Sequence, residues 1–284
     1  MSSLSLQWPS ETLWSQIEPL WPGFSVEVQP ELTSTNTVLM ERAREGHLQP
    51  TLLVAERQTA GRGRLGRHWA PSTPGQALTF SMGVPLGSGD LSGLSLMVGC
   101  CVAASLDPQH RQELRIKWPN DLWYHQRKLV GILVEVCLVG QERYVVVGVG
   151  INIAAVGALP PPEPGRPAPQ PPACVQEWEP DATAPGILAR VAPALAQALA
   201  QFARAGFAPW QARFAARDAL AGQAVWLSDG SVGTACGVSE RGGLRVRIEQ
   251  PGVAPAVREV LSDEISVRPL PPSGGRILST DASA

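Results

Sequence analysis

The stretch that decides the fold is residues 127–152, RKLVGILVEVCLVGQERYVVVGVGIN. Two runs rich in valine, leucine and isoleucine flank the short connection Val139-Gly140-Gln141, which is typical of two antiparallel strands joined by a turn. Hairpins of this kind break a strict alternation of strand and helix. The sequence therefore predicts an α+β domain built on a mixed β-sheet.

Strands and helices are also predicted on both sides of this hairpin. Apolar runs and alternating patterns predict strands at residues 24–32, 51–56, 77–84 and 114–117. Ser34 and Thr35 are good N-cap residues for a helix that ends near Gly46, and a central apolar helix is predicted at residues 91–106. Two amphipathic helices are predicted downstream, at residues 186–202 and 208–219.

The pattern changes at Leu220, after which short runs alternate with turn residues. Strands are predicted at residues 223–227, 231–238, 243–249 and 256–261, and we expect residues 220–268 to form a small SH3-like β-barrel. The larger, first domain is then expected at residues 24–219, with a leader packed on it at 1–23. Half of residues 157–172 are proline, which predicts an exposed loop, and residues 269–284 are expected to be a disordered tail.

Composition narrows the classes of function. The formal net charge of −2 argues against nucleic acid as a bulk electrostatic partner. The first basic residue is Arg42, so the positive region of an export signal is missing, and the apolar run at 91–106 is shorter than a bilayer span of about 20 residues. Five cysteines show no metal-binding or redox spacing. We therefore expect a cytoplasmic protein that contacts no membrane.

Lysine is unusually scarce in this chain. Among 23 basic residues only Lys117 and Lys128 are lysines. Arginine is larger, planar and forked, so the two remaining lysines are candidates for sites where a compact ammonium matters. Chance survival on a solvated surface is the alternative for either lysine taken alone.

The loop GRGRLGR at residues 61–67 is the first candidate site. Its glycines free the backbone to wrap a ligand, and its arginines offer forked donors to a phosphate or a carboxylate. A mobile basic surface loop or a short nucleic-acid-binding segment would have a similar sequence.

Three further motifs follow, and each has an ordinary alternative. KWPND at residues 117–121 offers an ammonium, an amide and a carboxylate, although Pro-Asn-Asp is also common turn chemistry. In RKLVGILVE, Lys128 begins an apolar strand where a cation could stabilise an acyl phosphate, and Gly131 permits close approach of a ligand. GVGIN at residues 148–152 again places two glycines in a strand, which suggests that a group lies against the backbone there, although a bulge or a bend of the sheet would have the same sequence.

Taken in this order, Ser34-Thr35-Asn36, GRGRLGR followed by His-Trp, KWPND, RKLVGILVE and GVGIN resemble the biotin–protein ligase family. The resemblance is strong over residues 34–153 and weaker over 184–268. It implies a core similar to class II aminoacyl-tRNA synthetases, with ATP and Mg²⁺ required. It also implies adenylation of biotin, followed by transfer to a lysine of a biotin carboxyl carrier protein.

The resemblance also assigns roles to residues. It assigns Lys128, Arg62 and Arg64 as the catalytic residues. The biotin pocket comprises Ser34, Thr35, Asn36, Gln58, Arg62, Gly63, Arg64, Lys128 and Gly131. The ATP side comprises Arg64, Arg67, Trp69, Lys117, Asn120, Asp121 and Asn152, with Asp121 as the Mg²⁺ ligand.

Two departures from the family pattern limit what the resemblance implies. The N-terminal DNA-binding domain of some members is missing, so we expect no DNA partner. The proline-rich stretch replaces the lid over adenine, so no stacking residue is assigned, and Trp178 is expected to be a packed tryptophan. A lipoate–protein ligase and a nucleic-acid-binding protein are the alternative functions, and a homodimer is left open.

Overall fold

The computed structural model describes residues 6–69, 73–156, 170–248, 255–261 and 267–269. The chain divides into two compact units, Met1–Ala219 with Glu240–Gly242, and Leu220–Ser239 with Gly243–Ala284. Residues 157–169 of the predicted proline-rich loop and 270–284 of the predicted tail lie outside the described residues.

The first unit is built on a seven-stranded mixed sheet. Its strands are β1 (Ser25–Leu32), β2 (Thr51–Gln58), β3 (Ala77–Pro85), β4 (Leu114–Lys117), β5 (Asp121–Tyr124), β6 (Arg127–Val139) and β7 (Glu142–Asn152). They lie in the order β1-β2-β3-β7-β6-β5-β4, and the β1–β2 pair is parallel whereas the other pairs are antiparallel. The predicted α+β class with a mixed sheet is confirmed.

The β6–β7 hairpin is the centre of this sheet. Its register runs from Val130 opposite Ile151 to Val139 opposite Glu142. Gly140 adopts φ +61° at the two-residue turn, a conformation that glycine reaches without steric cost. The hairpin predicted from residues 127–152 is therefore present, and it places both glycine-containing motifs side by side.

The short strand β5 was missing from the sequence-based prediction. Only four residues long, it lies between two tight turns, WPN before it and His125-Gln126 after it, where φ is positive at both residues. In the sheet, Asp121 lies opposite Lys117 on one side and Gly131 on the other. The turn therefore delivers Asp121 into the sheet beside the two lysine-bearing strands.

Five helices accompany the sheet: α1 (Ser10–Ile17), α2 (Thr35–Arg44), α3 (Leu94–Leu106), α4 (Ala184–Ala205) and α5 (Gln211–Ala215). Helix α3 begins three residues later than predicted because Gly93, at φ +77°, interrupts the chain. The helix predicted at 208–219 is reduced to a 3₁₀ turn and α5.

The helices cover opposite faces of the sheet. Ile132 packs near Gly99 of α3, whereas Cys137 of the same strand packs with α2 residues such as Leu39. Because side chains alternate along a strand, positions 132 and 137 point to opposite faces. The candidate site lies on the α2 face.

The segment before β1 packs on the first unit. Leu13 and Ile17 of α1 are buried. The indole nitrogen of Trp8 donates to Glu56 Oε1 at 2.8 Å, and that of Trp21 donates to the Ala196 carbonyl at 3.0 Å. These contacts give Trp8 and Trp21 a packing role, whereas Trp14 is exposed.

Helix α4 is long and apolar enough to cross a membrane by length and composition alone, but half of the relevant window is buried in the unit. A core helix of a folded domain passes the same test, so α4 is only weak evidence for a membrane span.

The second unit is a five-stranded antiparallel sheet in the order β11-β10-β9-β8-β12. Its strands are β8 (Ala224–Leu227), β9 (Val232–Val238), β10 (Leu244–Ile248), β11 (Ala256–Val260) and β12 (Val267–Pro269). Valine and leucine side chains such as Val225, Leu227 and Val246 form its core. Closure of this sheet into an SH3-like barrel stays a prediction.

Candidate functional site

The beginning of α2 forms one wall of the site. Ser34 is its N-cap and accepts a 3.4 Å hydrogen bond from the Thr37 amide. The Thr35 backbone N–H donates to Gln58 Oε1 at 2.7 Å, and the Thr35 hydroxyl oxygen lies 3.2 Å from the same atom. Ser34, Thr35, Asn36 and Gln58 are all buried. Four polar residues named from the sequence thus gather at one helix end and the end of β2.

Ser81 belongs to this wall although the sequence analysis did not select it. It is fully buried on β3, and its Oγ lies 2.6 Å from both Thr35 Oγ1 and Asn36 Oδ1. A single hydroxyl proton can be donated to only one of these oxygens, so Ser81 accepts from Thr35 while donating to Asn36. The available signal was a serine between Phe80 and Met82 in a strand that is mainly apolar and also contains Thr79.

Glu135 is a second residue that the sequence analysis did not place in the site. Its Oε2 accepts a 3.0 Å hydrogen bond from Asn36 Nδ2, and its Oε1 lies 3.2 Å from Arg62 Nη1. It appeared in the sequence only as the last residue of RKLVGILVE. In the structure its carboxylate joins α2, β6 and the arginine loop.

The arginine loop is a narrow hairpin. The Gly63 amide donates to the Arg67 carbonyl at 2.7 Å, and the Trp69 amide donates to the Gly61 carbonyl at 2.9 Å. Leu65 and Gly66 form its tip with positive φ values. Arg62 and Arg67 are exposed, whereas Arg64 is half-buried. The loop thus has backbone hydrogen bonds of its own and carries three arginines within six residues.

The Trp69 ring is the reason that glycine is needed at two neighbouring positions of β6 and β7. A Cβ on Gly150 would lie 2.6 Å from Cε2 of Trp69, and one on Gly131 would lie 2.9 Å from Cζ3. Gly131 and Gly150 are direct partners across the two strands. The indole therefore lies on a patch of bare backbone that side chains would fill.

Lys128 reaches this face through a β-bulge. Lys128 and Gly131 are three positions apart, so strict alternation would put them on opposite faces. The β5–β6 register shifts between Leu122 and Trp123, and a Cβ on Gly131 would lie 3.3 Å from Lys128 Nζ. The bulge re-aims the lysine onto the site face.

The Lys128 ammonium sits between a carboxylate and an aromatic ring. Its Nζ lies 2.7 Å from Asp121 Oδ1 and 5.9 Å from the centre of the Trp69 ring. The contact with Asp121 lacks hydrogen-bond geometry, so Oδ1 is buried without a hydrogen-bond partner. The Lys128 side chain is 43% exposed, which leaves the cation accessible at the rim of the site.

The other residues assigned to the nucleotide side are engaged within the protein. The Asn120 and Asn152 side-chain amides donate to the carbonyls of Ile132 and Lys128, at 2.8 and 3.3 Å. Lys117 Nζ lies 4.9 Å from the Trp123 ring centre. Both asparagine side chains therefore hydrogen-bond to the backbone of β6 through Nδ2. Their Oδ1 atoms take no part in these two bonds and point in another direction.

Residues 173–178 form a segment that runs next to the backbone of Lys128. The Ala173 amide donates to the Lys128 carbonyl at 3.0 Å, and Trp178 packs against Tyr124 with ring centres 4.8 Å apart. Burial raises the pKa of Glu177, but hydrogen bonds from Arg127 and the Cys174 amide outweigh it, so the pKa lies below its ordinary value. Trp178 was expected to be a packed tryptophan of the core; it packs against Tyr124 but is only half-buried.

Gly148 is the position where the wall is most sensitive to substitution. A Cβ there would lie 2.0 Å from Asn36 Oδ1. Gly148→Ala is expected to push Asn36 away from Ser81 and lower the free energy of unfolding by about 1–3 kcal/mol. Chemical denaturation measures this change. Gly87→Ala is the matched control because nothing lies within 4 Å of its Cβ, and equal stability of the two variants would contradict the packing described here.

Comparison with known proteins identifies a family that this chain resembles. Residues 28–152 match the model of the Biotin/lipoate A/B protein ligase family. The biotin–[acetyl-CoA-carboxylase] ligase of Paracoccus denitrificans is 33% identical over 218 residues, which cover 74% of this chain and 86% of that protein. The Escherichia coli bifunctional ligase/repressor BirA is 43% identical over 136 residues, 46% of this chain and 41% of that protein. The chain thus spans less than half the length of the latter relative.

Solved structures show the same likeness. The biotin protein ligase from Aquifex aeolicus in complex with biotin and ATP has a TM-score of 0.68 and 28% identity, covering 86% of this chain and 99% of that one. The apo form of the Aquifex aeolicus enzyme has a TM-score of 0.65.

Proposed function

The chain belongs to the biotin/lipoate A/B protein ligase family, and from this premise we propose that it is a biotin–protein ligase. It adenylates biotin with ATP and then transfers the biotinoyl group to one lysine of a biotin carboxyl carrier protein. The observation that carries the proposal is the placement of Lys128 beside Gly131 and Trp69, on the same face as the α2 wall.

The first step joins two anions. A carboxylate oxygen of biotin attacks the α-phosphorus of ATP, and diphosphate leaves with the bonding electrons. Bringing the carboxylate and the phosphate together costs Coulomb repulsion, which fixed cations at the reacting atoms offset. Lys128, Arg62 and Arg64 are the cations that we assign to this task.

The second step needs no nucleophile from this chain. The uncharged amine of the carrier lysine attacks the acyl carbon of biotinoyl-AMP, AMP leaves, and the amine loses a proton as the amide forms. What this chain supplies is retention and orientation of the adenylate. The arginine loop is suited to this because its backbone is closed on itself by hydrogen bonds and its arginines can donate to the phosphate and carboxylate of the adenylate.

The two substrates are assigned to two parts of the site. We assign the biotin rings to the α2 wall, formed by Ser34, Thr35, Asn36 and Gln58, with Arg62, Gly63, Arg64, Lys128 and Gly131 completing the pocket. We assign ATP to Arg64, Arg67, Trp69, Lys117, Asn120, Asp121 and Asn152. A buried wall of paired donors and acceptors suits a ring that carries both, such as the ureido group.

Asp121 fits the Mg²⁺ that ATP brings. Its Oδ1 is buried without a hydrogen-bond partner but lies 2.7 Å from Lys128 Nζ, so Mg²⁺ would share this oxygen with the ammonium. A carboxylate oxygen is a ligand that Mg²⁺ prefers. Within the described residues, no group of three or more His, Cys, Asp or Glu could hold a metal ion. This suits an ion bound through one carboxylate and the substrate phosphates. Bound there, Mg²⁺ would neutralise phosphate charge.

The cytoplasmic location stays a prediction.

The family model also covers lipoate ligases, so lipoate is the competing substrate. We expect biotin, and not lipoate, to raise the melting temperature of the protein, because lipoate has no ureido group to pair with the α2 wall. A thermal shift assay at equal ligand concentrations measures this. If lipoate raised the melting temperature and biotin did not, lipoate would replace biotin as the proposed substrate.

A further inference from the structure

Glu135 connects two parts of the site that are far apart in the sequence. Its side chain points from β6 to the face of α2, and it is only 20% exposed. One carboxylate oxygen accepts from Asn36 Nδ2 on α2, and the other pairs with Arg62 Nη1 in the arginine loop. Both partners belong to the pocket that we assign to biotin.

The contact with Glu135 fixes which way the Asn36 amide faces. Nδ2 meets two groups that can only accept, the Glu135 carboxylate at 3.0 Å and the Leu133 carbonyl at 3.3 Å. Oδ1 must then face the Ser81 hydroxyl, where it lies at 2.6 Å. The chemistry of the partners therefore assigns the two ends of the amide.

The contact with Arg62 joins the loop to the sheet. The loop's own hydrogen bonds, from Gly63 to Arg67 and from Trp69 to Gly61, close it on itself. The Arg62–Glu135 ion pair adds a link from the loop to β6.

We propose that Glu135 is a positioning residue that fixes the Asn36 amide and tethers the arginine loop before the ligand arrives. The inference rests on the proposed function for the ligand's identity, but the tether itself does not depend on it. Glu135 touches neither substrate in this account and acts through Asn36 and Arg62.

Glu135→Gln is the sharpest variant because it keeps the size of the side chain. Glutamine has one oxygen and one amide nitrogen, so it can satisfy Asn36 or Arg62 but not both. Glu31→Gln is the matched control, since it removes the exposed Arg57–Glu31 ion pair between β1 and β2.

The first readout is trypsin cleavage after Arg64 and Arg67 in the ligand-free protein, mapped by mass spectrometry. Glu135→Gln is expected to speed this cleavage roughly two- to fivefold, as suits a partly exposed ion pair, and Glu31→Gln to leave it unchanged. The second readout is biotin-dependent diphosphate release. There Glu135→Gln should raise KM for biotin about tenfold, with kcat within about twofold.

Arg62→Leu breaks the same tether from the loop side. Because Arg62 is half exposed, we expect Arg62→Leu to fold even if Glu135→Gln does not. It should speed cleavage to the same extent, and the double variant should add nothing further. Wild-type cleavage rates in both single variants would overturn the proposal, as would a fall in kcat at unchanged KM. If the wild type releases no diphosphate with biotin, the proposed function fails, while the cleavage rates still decide the tether.

Discussion

Lys128→Ala is expected to slow formation of biotinoyl-AMP about 100- to 1,000-fold, the loss typical of removing one group that stabilises charge in a transition state. Lys128 Nζ is the ammonium that lies beside Gly131 and Trp69, where we place the reacting carboxylate and phosphate. The fold should survive, because an ion pair with a 43% exposed partner contributes little to stability. Biotin-dependent exchange of labelled diphosphate into ATP measures the step.

Lys128→Arg tests whether the charge or its shape matters. The guanidinium is larger and planar, and the space between Asp121 and Trp69 is occupied by a compact ammonium. We therefore expect the arginine variant to be badly impaired as well. Arg115→Ala, at an exposed position on β4, is the control and should match the wild type. Near-normal exchange by Lys128→Arg would show that the scarcity of lysine in this chain carries no functional meaning.

Arg64→Gly is expected to increase escape of the adenylate about tenfold or more, the loss that follows removal of a charged hydrogen-bond donor. Arg64 lies half-buried in the loop hairpin, with Arg62 as its companion. Released biotinoyl-AMP acylates amines at random, so biotin should appear on serum albumin added to the reaction. This chain would record little of the escape on itself, because its lysines are Lys117 and Lys128 alone.

Blotting of the albumin with labelled streptavidin measures the escape. Arg204→Gly, an exposed arginine in the last turn of α4, is the control and should leave the albumin unlabelled. An Arg64→Gly variant that labels its carrier and spares albumin would show that the loop does not retain the intermediate.

The sequence was sufficient for the parts of the fold that local pattern encodes. The β6–β7 hairpin follows from two apolar runs around Gly140, and α2 follows from its serine cap. The four-residue strand β5 was missed because the turns on both sides of it hide so short a run. The helix predicted at 208–219 was too long because its apolar residues mark packing of a 3₁₀ turn and a short helix.

The site was harder to read from the sequence because its contacts cross the sheet. The motifs pointed to Lys128 and Gly131, but only the β-bulge brings them to one face. Ser81 and Glu135 have polar partners on α2 and in the arginine loop, which are distant in the sequence, and no local pattern reveals such partners. The glycines of GVGIN were expected to lie against something, and in the structure Gly150 lies against Trp69.

Transfer of biotin to a carrier protein is the measurement that tests the central claim most directly. The purified chain is incubated with a biotin carboxyl carrier domain, biotin, ATP and Mg²⁺, and the carrier is weighed by intact mass spectrometry. We predict a single added biotinoyl group on one carrier lysine, which disappears when biotin, ATP or Mg²⁺ is withheld or that lysine is replaced by arginine. A carrier that stays unmodified while the same chain attaches lipoate to a lipoyl domain, or attaches nothing to either, would contradict the account.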